Sequence, residues 1–128
     1  MTMEALHGVR IVDFSNYWVG SYGGMLMAPM GAEVIKVESM YRLDPMRSLA
    51  GQRQAQQQEG PNIAAEGDAR QLELSYSFQM VNMNKLAVTL NLSDGRGVDL
   101  AKRLVAISDA TINNFSPGVM DRLGLGYD

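Results

Sequence analysis

The sequence predicts an α/β domain on a parallel sheet, and two observations carry that prediction. Short β-branched runs alternate with stretches of helical periodicity, and the first strand, helix and strand fall within about 30 residues, the length of a βαβ unit. The 128 residues, 46% hydrophobic and 20% charged, are enough for one globular domain with one core, spanning 1–128.

Val9 to Phe14 is short, apolar and β-branched, and reads as the first strand. It ends in the polar turn Ser15-Asn16. A helix is expected to start at Gly20-Ser21 with Ser21 as N-cap, and to show its apolar face through Tyr22, Met25 and Leu26. Pro29 should end it near Ala28, and Gly31 suits a C-terminal cap. Glu33 to Glu38 is the second strand, parallel to the first. From Ser39 to about Gln71 the pattern dissolves, and the Gln-rich stretch inside it reads as a long polar surface loop, about 48–77.

Val88, Leu90 and Leu92 alternate with Ala87, Thr89 and Asn91, which makes a third strand with one apolar face. Ser93 or Asp94 can cap the next helix, whose inner face runs through Val98, Ala101, Leu104, Val105 and Ser108. Asp109 to Phe115 is a fourth strand. Ser116-Pro117 then supplies a hydroxyl cap and a proline at the first helical position, and Gly124 and Gly126 end that last helix.

Composition excludes several functions. A net charge of -3 without a basic run gives nucleic acid no electrostatic footprint. With no cysteine and one histidine, His7, the chain offers neither a thiolate zinc site nor a Ser-His-Asp triad, so no metal is expected. No run reaches the roughly 18 apolar residues of a membrane span, and Met1-Thr2-Met3-Glu4 is no secretory leader, so a cytoplasmic protein is expected.

In open α/β sheets ligands gather beyond the carboxyl ends of the strands, here Phe14 to Gly20, Glu38 to Arg47 and Asn113 to Ser116. The turn Asn114-Phe115-Ser116-Pro117-Gly118 combines free N–H groups, a helix start and amide side chains, and could hold an anion; taken alone it reads first as a simple helix cap. Lys85, after Asn82-Met83-Asn84, could meet a phosphate, as could Arg122, although each alone is more simply a solvated surface cation. Glu38 stands where a dinucleotide fold places its ribose-binding acid, but Gly20 to Gly24 has the wrong spacing for Gly-x-Gly-x-x-Gly, which argues against NAD. The ten methionines are adaptable core filler or a pliable wall for an acyl chain, and Trp18 either covers a ligand or packs on the sheet.

Five segments occur in the order seen in family III CoA-transferases, the CaiB/BaiF family: Gly8 to Phe14, Gly31 to Glu38, Asp44 to Arg47, Asn82 to Lys85, and Asn114 to Gly124. Together they resemble the N-terminal part of that family's fold across most of the chain. The resemblance implies a Rossmann-like domain that binds coenzyme A, with acyl-CoA and a carboxylate acceptor as substrates and an interlocked homodimer as the assembly. It implies that Trp18, Val19, Asn82, Asn84, Lys85, Asn114, Phe115, Ser116 and Arg122 line the CoA site, Lys85 and Arg122 neutralising phosphate. The catalytic aspartate, which in such transferases attacks the thioester, is expected beyond Asp128, so this stretch alone should be inactive. The alternatives are a stretch of an α-methylacyl-CoA racemase and a non-catalytic CoA- or nucleotide-binding module. Four departures stand out: Ser21 where the family usually has proline, Pro29 where it is usually acidic, Ser39 where a basic residue often serves the nucleotide end, and a longer loop between Arg47 and Ser77.

Overall fold

The structure, a computed structural model, describes residues 4–47, 73 and 75–127. Four parallel strands form one sheet in the order β3-β2-β1-β4: β1 Arg10–Asp13, β2 Glu33–Glu38, β3 Leu86–Thr89 and β4 Ala110–Ile112. Among the described residues the α-helices include α1 Tyr17–Met27, α2 Tyr76–Val81, α3 Gly95–Ala106 and α4 Val119–Arg122. The α/β class with a parallel sheet and flanking helices is therefore as the sequence predicts. Most of the polar segment 48–77 lies outside the described residues, but Tyr76, within it, already begins α2, a helix the sequence reading missed.

The two sheet faces pack separately. Ile11 and Val34 meet Ala28 and Ala32 on the α1 side. Val12, Phe14 and Val37 meet Ala101 of α3 on the other, with Val88, Leu90, Leu92, Leu104 and Val105 packed around them. The alternation read in the third strand and the apolar stripe of α3 thus point at one core. Asp94 caps α3, its carboxylate accepting the Arg96 N–H at 2.9 Å. That bond and the Arg96 charge hold the Asp94 carboxyl below its ordinary value. Gly97 lets α3 press on the preceding turn, where a Cβ would stand 2.0 Å from the Asn91 carbonyl oxygen.

Helix α1 departs from expectation at both its start and its face. It begins at Tyr17, not near Ser21, and Asn16 makes no side-chain cap. Its buried residues are Gly20, Ser21 and Gly24, while Tyr22 and Leu26 are about half exposed. The reason is close approach. A Cβ on Gly20 would lie 2.3 Å from the Ser15 Cβ, and one on Gly24 would lie 3.0 Å from the Lys85 Cε. The stripe of small residues therefore faces the sheet. Pro29 lies in a 3-10 turn, Ala28–Met30, that ends at Gly31 with φ 99°, as the sequence predicts.

The last helix is also corrected. Ser116 is not its cap: Gly118 holds that place with φ 75°, and α4 is a single turn. So short a helix carries little dipole, which removes the helix-dipole argument for an anion at this turn.

Candidate functional site

Beyond the carboxyl ends of the strands lies a cavity of about 420 Å³, a size usual for small-molecule sites. Its walls come from the three strand ends singled out from the sequence, with Leu90 to Ser93 added after β3. Phe14, Asn16 and Tyr17 follow β1; Glu38, Ser39, Tyr41, Arg42 and Asp44 follow β2; Asn114, Phe115 and Ser116 follow β4. Four aromatic residues, several residues with amide or hydroxyl groups, and Arg42 thus line one space. Such a lining suits a ligand with a flat ring and an anionic group.

Of the residues nominated from the sequence, Asn114, Phe115 and Ser116 line this cavity, whereas Trp18, Val19, Asn82, Asn84, Lys85 and Arg122 do not. Trp18 and Val19 lie on the exposed first turn of α1. Arg122 is exposed on α4, between the cavity-lining Val119 and Leu123. Asn84 forms an exposed turn with φ 60°.

Lys85 requires a firm correction. Its side chain is 1% exposed, and the ammonium donates to Asp13 Oδ2 at 2.8 Å, to the Ser21 carbonyl at 2.8 Å and to Asn82 Oδ1 at 2.9 Å. All three donors are engaged, so none remains for a phosphate. Burial pulls this lysine below its ordinary value, against the raising effect of Asp13. Asn82 is structural as well, since its amide donates to the Phe78 carbonyl at 2.8 Å and its oxygen receives Lys85. Lys85, Asn114 and Arg122 therefore do not form one shared pocket.

The carboxylates around the cavity are similarly engaged. Both Glu38 oxygens accept from Arg47, each at 2.8 Å, so Glu38 is not free to bind a ribose. The Arg47 guanidinium lies 3.7 Å from the centre of the Phe78 ring. Burial acts to lower Arg47, but its hydrogen bonds and charge contacts with Glu38 and Glu73 raise it overall. Asp44 is 3% exposed; its Oδ2 faces the Lys36 ammonium at 3.0 Å, and its Oδ1 accepts the Met46 N–H at 2.9 Å. Asp13 pairs with Lys85 and also accepts from the Ser15 N–H and hydroxyl.

The sequence reading did not name Tyr17, Tyr41 or Arg42. Arg42 had a signal: a basic residue three places after Ser39, where a cation was sought and not found.

Among the described residues no group of His, Cys, Asp or Glu is placed to hold a metal ion, and no helix is long and apolar enough to cross a membrane.

Comparison with known proteins bears directly on this architecture. The model of the CoA-transferase family III matches residues 6–128. The chain is 36% identical over 127 residues to succinyl-CoA:glutarate CoA-transferase of Mus musculus, covering 99% of this chain and 25% of that protein. It is 31% identical over 128 residues to formyl-CoA:oxalate CoA-transferase of Streptomyces coelicolor, covering 100% of this chain and 27% of the relative. The chain thus spans about a quarter of the length of these relatives. Among solved structures, a CAIB/BAIF family protein from Brucella suis superimposes with a TM-score of 0.73 at 31% identity, over 98% of this chain and 30% of that one. A hypothetical protein from Mycobacterium tuberculosis gives 0.74 at 28% identity, over 98% and 29%. A match over nearly the whole chain, with the same parallel sheet, shows that this chain belongs to the CoA-transferase family III.

Proposed function

We propose that this chain supplies part of the coenzyme A site of an acyl-CoA:carboxylate CoA-transferase. The observation that carries the reading is the cavity at the strand ends, whose lining includes Arg42 together with Phe14, Tyr17, Tyr41 and Phe115. A CoA nucleotide offers a purine face to the rings and phosphate to the guanidinium. Asn114, Phe115 and Ser116 contribute wall and spare hydrogen-bonding capacity. Trp18, Val19 and Arg122, outside the cavity but beside residues that line it, would meet portions of the ligand that extend beyond the rim.

On this reading the aspartate that attacks the thioester belongs to sequence following residue 128, and residues 1–128 alone are inactive. What supports this is that Asp13, Glu38 and Asp44 are committed to Lys85, Arg47 and Lys36, so none is a free nucleophile. The relatives named above are CoA-transferases, which favours transfer over racemisation. An interlocked homodimer in the cytoplasm, with an acyl-CoA and a carboxylate acid as substrates and no metal, completes the proposal.

Calorimetric titration with CoA, and separately with NAD, tests it. CoA should bind, and Arg42→Ala should weaken binding about tenfold, the loss of one charge-assisted contact. Lys85→Met should not act through lost phosphate contact. Preferential binding of NAD, or CoA affinity indifferent to Arg42, would overturn the assignment.

A further inference from the structure

Between β1 and α1 the chain crosses the cavity wall in a conformation its residue types do not favour. Tyr17 has φ 59°, in the left-handed region that an aromatic residue rarely enters. Long-range bonds hold it from two sides. Asn114 Oδ1 accepts the Asn16 N–H at 2.9 Å, and Asn114 Nδ2 donates to the Asn16 carbonyl at 2.7 Å. From the other side, Asp44 Oδ1 accepts the Tyr17 N–H at 3.3 Å across 27 positions of sequence. Asp44 is itself held by Lys36, which also donates to the Ser15 carbonyl at 2.7 Å. The side chain of Asn16, at the N-cap position, makes no capping bond, so Asp44 satisfies the first α1 amide instead.

We infer that Asp44 and Asn114 are positioning residues that lock Asn16 and Tyr17 in this strained turn and so keep the Tyr17 ring on the cavity wall. Strain at one residue persists only where surrounding bonds over-determine it. With those bonds gone, the turn relaxes, the wall moves, and a ligand must reorder it on binding. The inference rests on the reading of the cavity as a CoA site only for its effect on affinity. The locking itself is independent of which ligand binds.

Trp18, the single tryptophan, adjoins Tyr17 and reports on the turn without a ligand. The test variant is Asp44→Ala combined with Lys36→Met, which removes the acceptor without leaving a buried ammonium unpaired. In it, acrylamide quenching of Trp18 should rise about twofold and the CoA Kd about tenfold, the cost of a wall that is no longer preorganised. Asp44→Asn combined with the same Lys36→Met, which keeps an oxygen for the Tyr17 and Met46 amides and likewise leaves no buried ammonium unpaired, should change both by less than about twofold. Unchanged quenching and unchanged Kd in the Asp44→Ala double variant overturn the inference.

Should that variant fail to fold, hydrogen exchange in the unaltered protein decides. The Tyr17 amide should exchange at least about tenfold more slowly than that of Trp18, and equal rates overturn the inference. If the unaltered protein binds no CoA while quenching and exchange respond as stated, the CoA reading falls and the locking stands. If CoA binds and neither responds, the locking falls.

Discussion

On the face of the sheet under α3, the central strands present Val12, Phe14 and Val37 to Ala101. On the face under α1, the same strands present Ile11 and Val34 and then, one pleat further, Asp13 and Lys36, both no more than 1% exposed. The first face is held by apolar burial, which has no direction and tolerates small rearrangements. The second ends in two buried ion pairs, Asp13 with Lys85 and Lys36 with Asp44, which stabilise only one geometry. Asp13 is the last residue of β1, and Asp44 lines the cavity. The comparison teaches that this sheet uses burial for cohesion and buried charge for placement.

Four variants sharpen or break that contrast. Asp13→Ala leaves the Lys85 ammonium buried without its charge partner and should cost about 3–5 kcal/mol in urea unfolding. Asp13→Leu with Lys85→Met should recover most of that loss, since an apolar pair carries no desolvation cost. Lys85 adds a pH signature. Its proton is held less tightly in the folded than in the unfolded chain, whose reference value is 10.5. The unfolded state therefore binds more protons between the lowered value and 10.5, so stability should rise with pH through that window. The paired variant should lack this rise. Next, Val12→Ala on the other face should cost about 2 kcal/mol, with no pH signature. An equal cost for Asp13→Ala and Val12→Ala would break the comparison. The smallest effect belongs to Asp94→Ala, which removes the α3 cap. Because the Asp94 carboxyl is held below 3.8, its stabilisation is present above that pH and is lost as pH falls through the lowered value. A thermal melt of wild type and variant should therefore converge in acid.

The legible parts of the fold were those with a local cause. Glu33 to Glu38 was read with its observed bounds because its β-branched run is flanked by Gly31 and Ser39. The Asp94 cap and the Gly31 stop were likewise visible in neighbouring residues. The misread parts have distant causes. Nothing near Tyr17 announces a helix start there, since its anchor is Asp44. Lys85 reads as a solvated turn lysine until the fold brings Asp13 and the Ser21 carbonyl to it. The inward face of α1 was misassigned because glycine carries no hydrophobic signal, although glycine is what permits the close approach. For the site, the three strand ends were found by the rule for open sheets, whereas Arg42 and Tyr17 needed coordinates to join Asn114, Phe115 and Ser116 around one space.

The strand order has a consequence in time. β1 emerges first, yet its neighbour β4 is made far later: Arg10 and Asp109, joined by a hydrogen bond, stand 99 positions apart. Pairings so distant are slow to form, because the intervening chain must be brought together before any contact rewards it. During synthesis the middle of the sheet keeps one edge open until almost the whole stretch has left the ribosome. A nascent chain stalled before Ala110 should therefore be captured by chaperones and cut readily by protease, and protection should arrive abruptly once β4 is available.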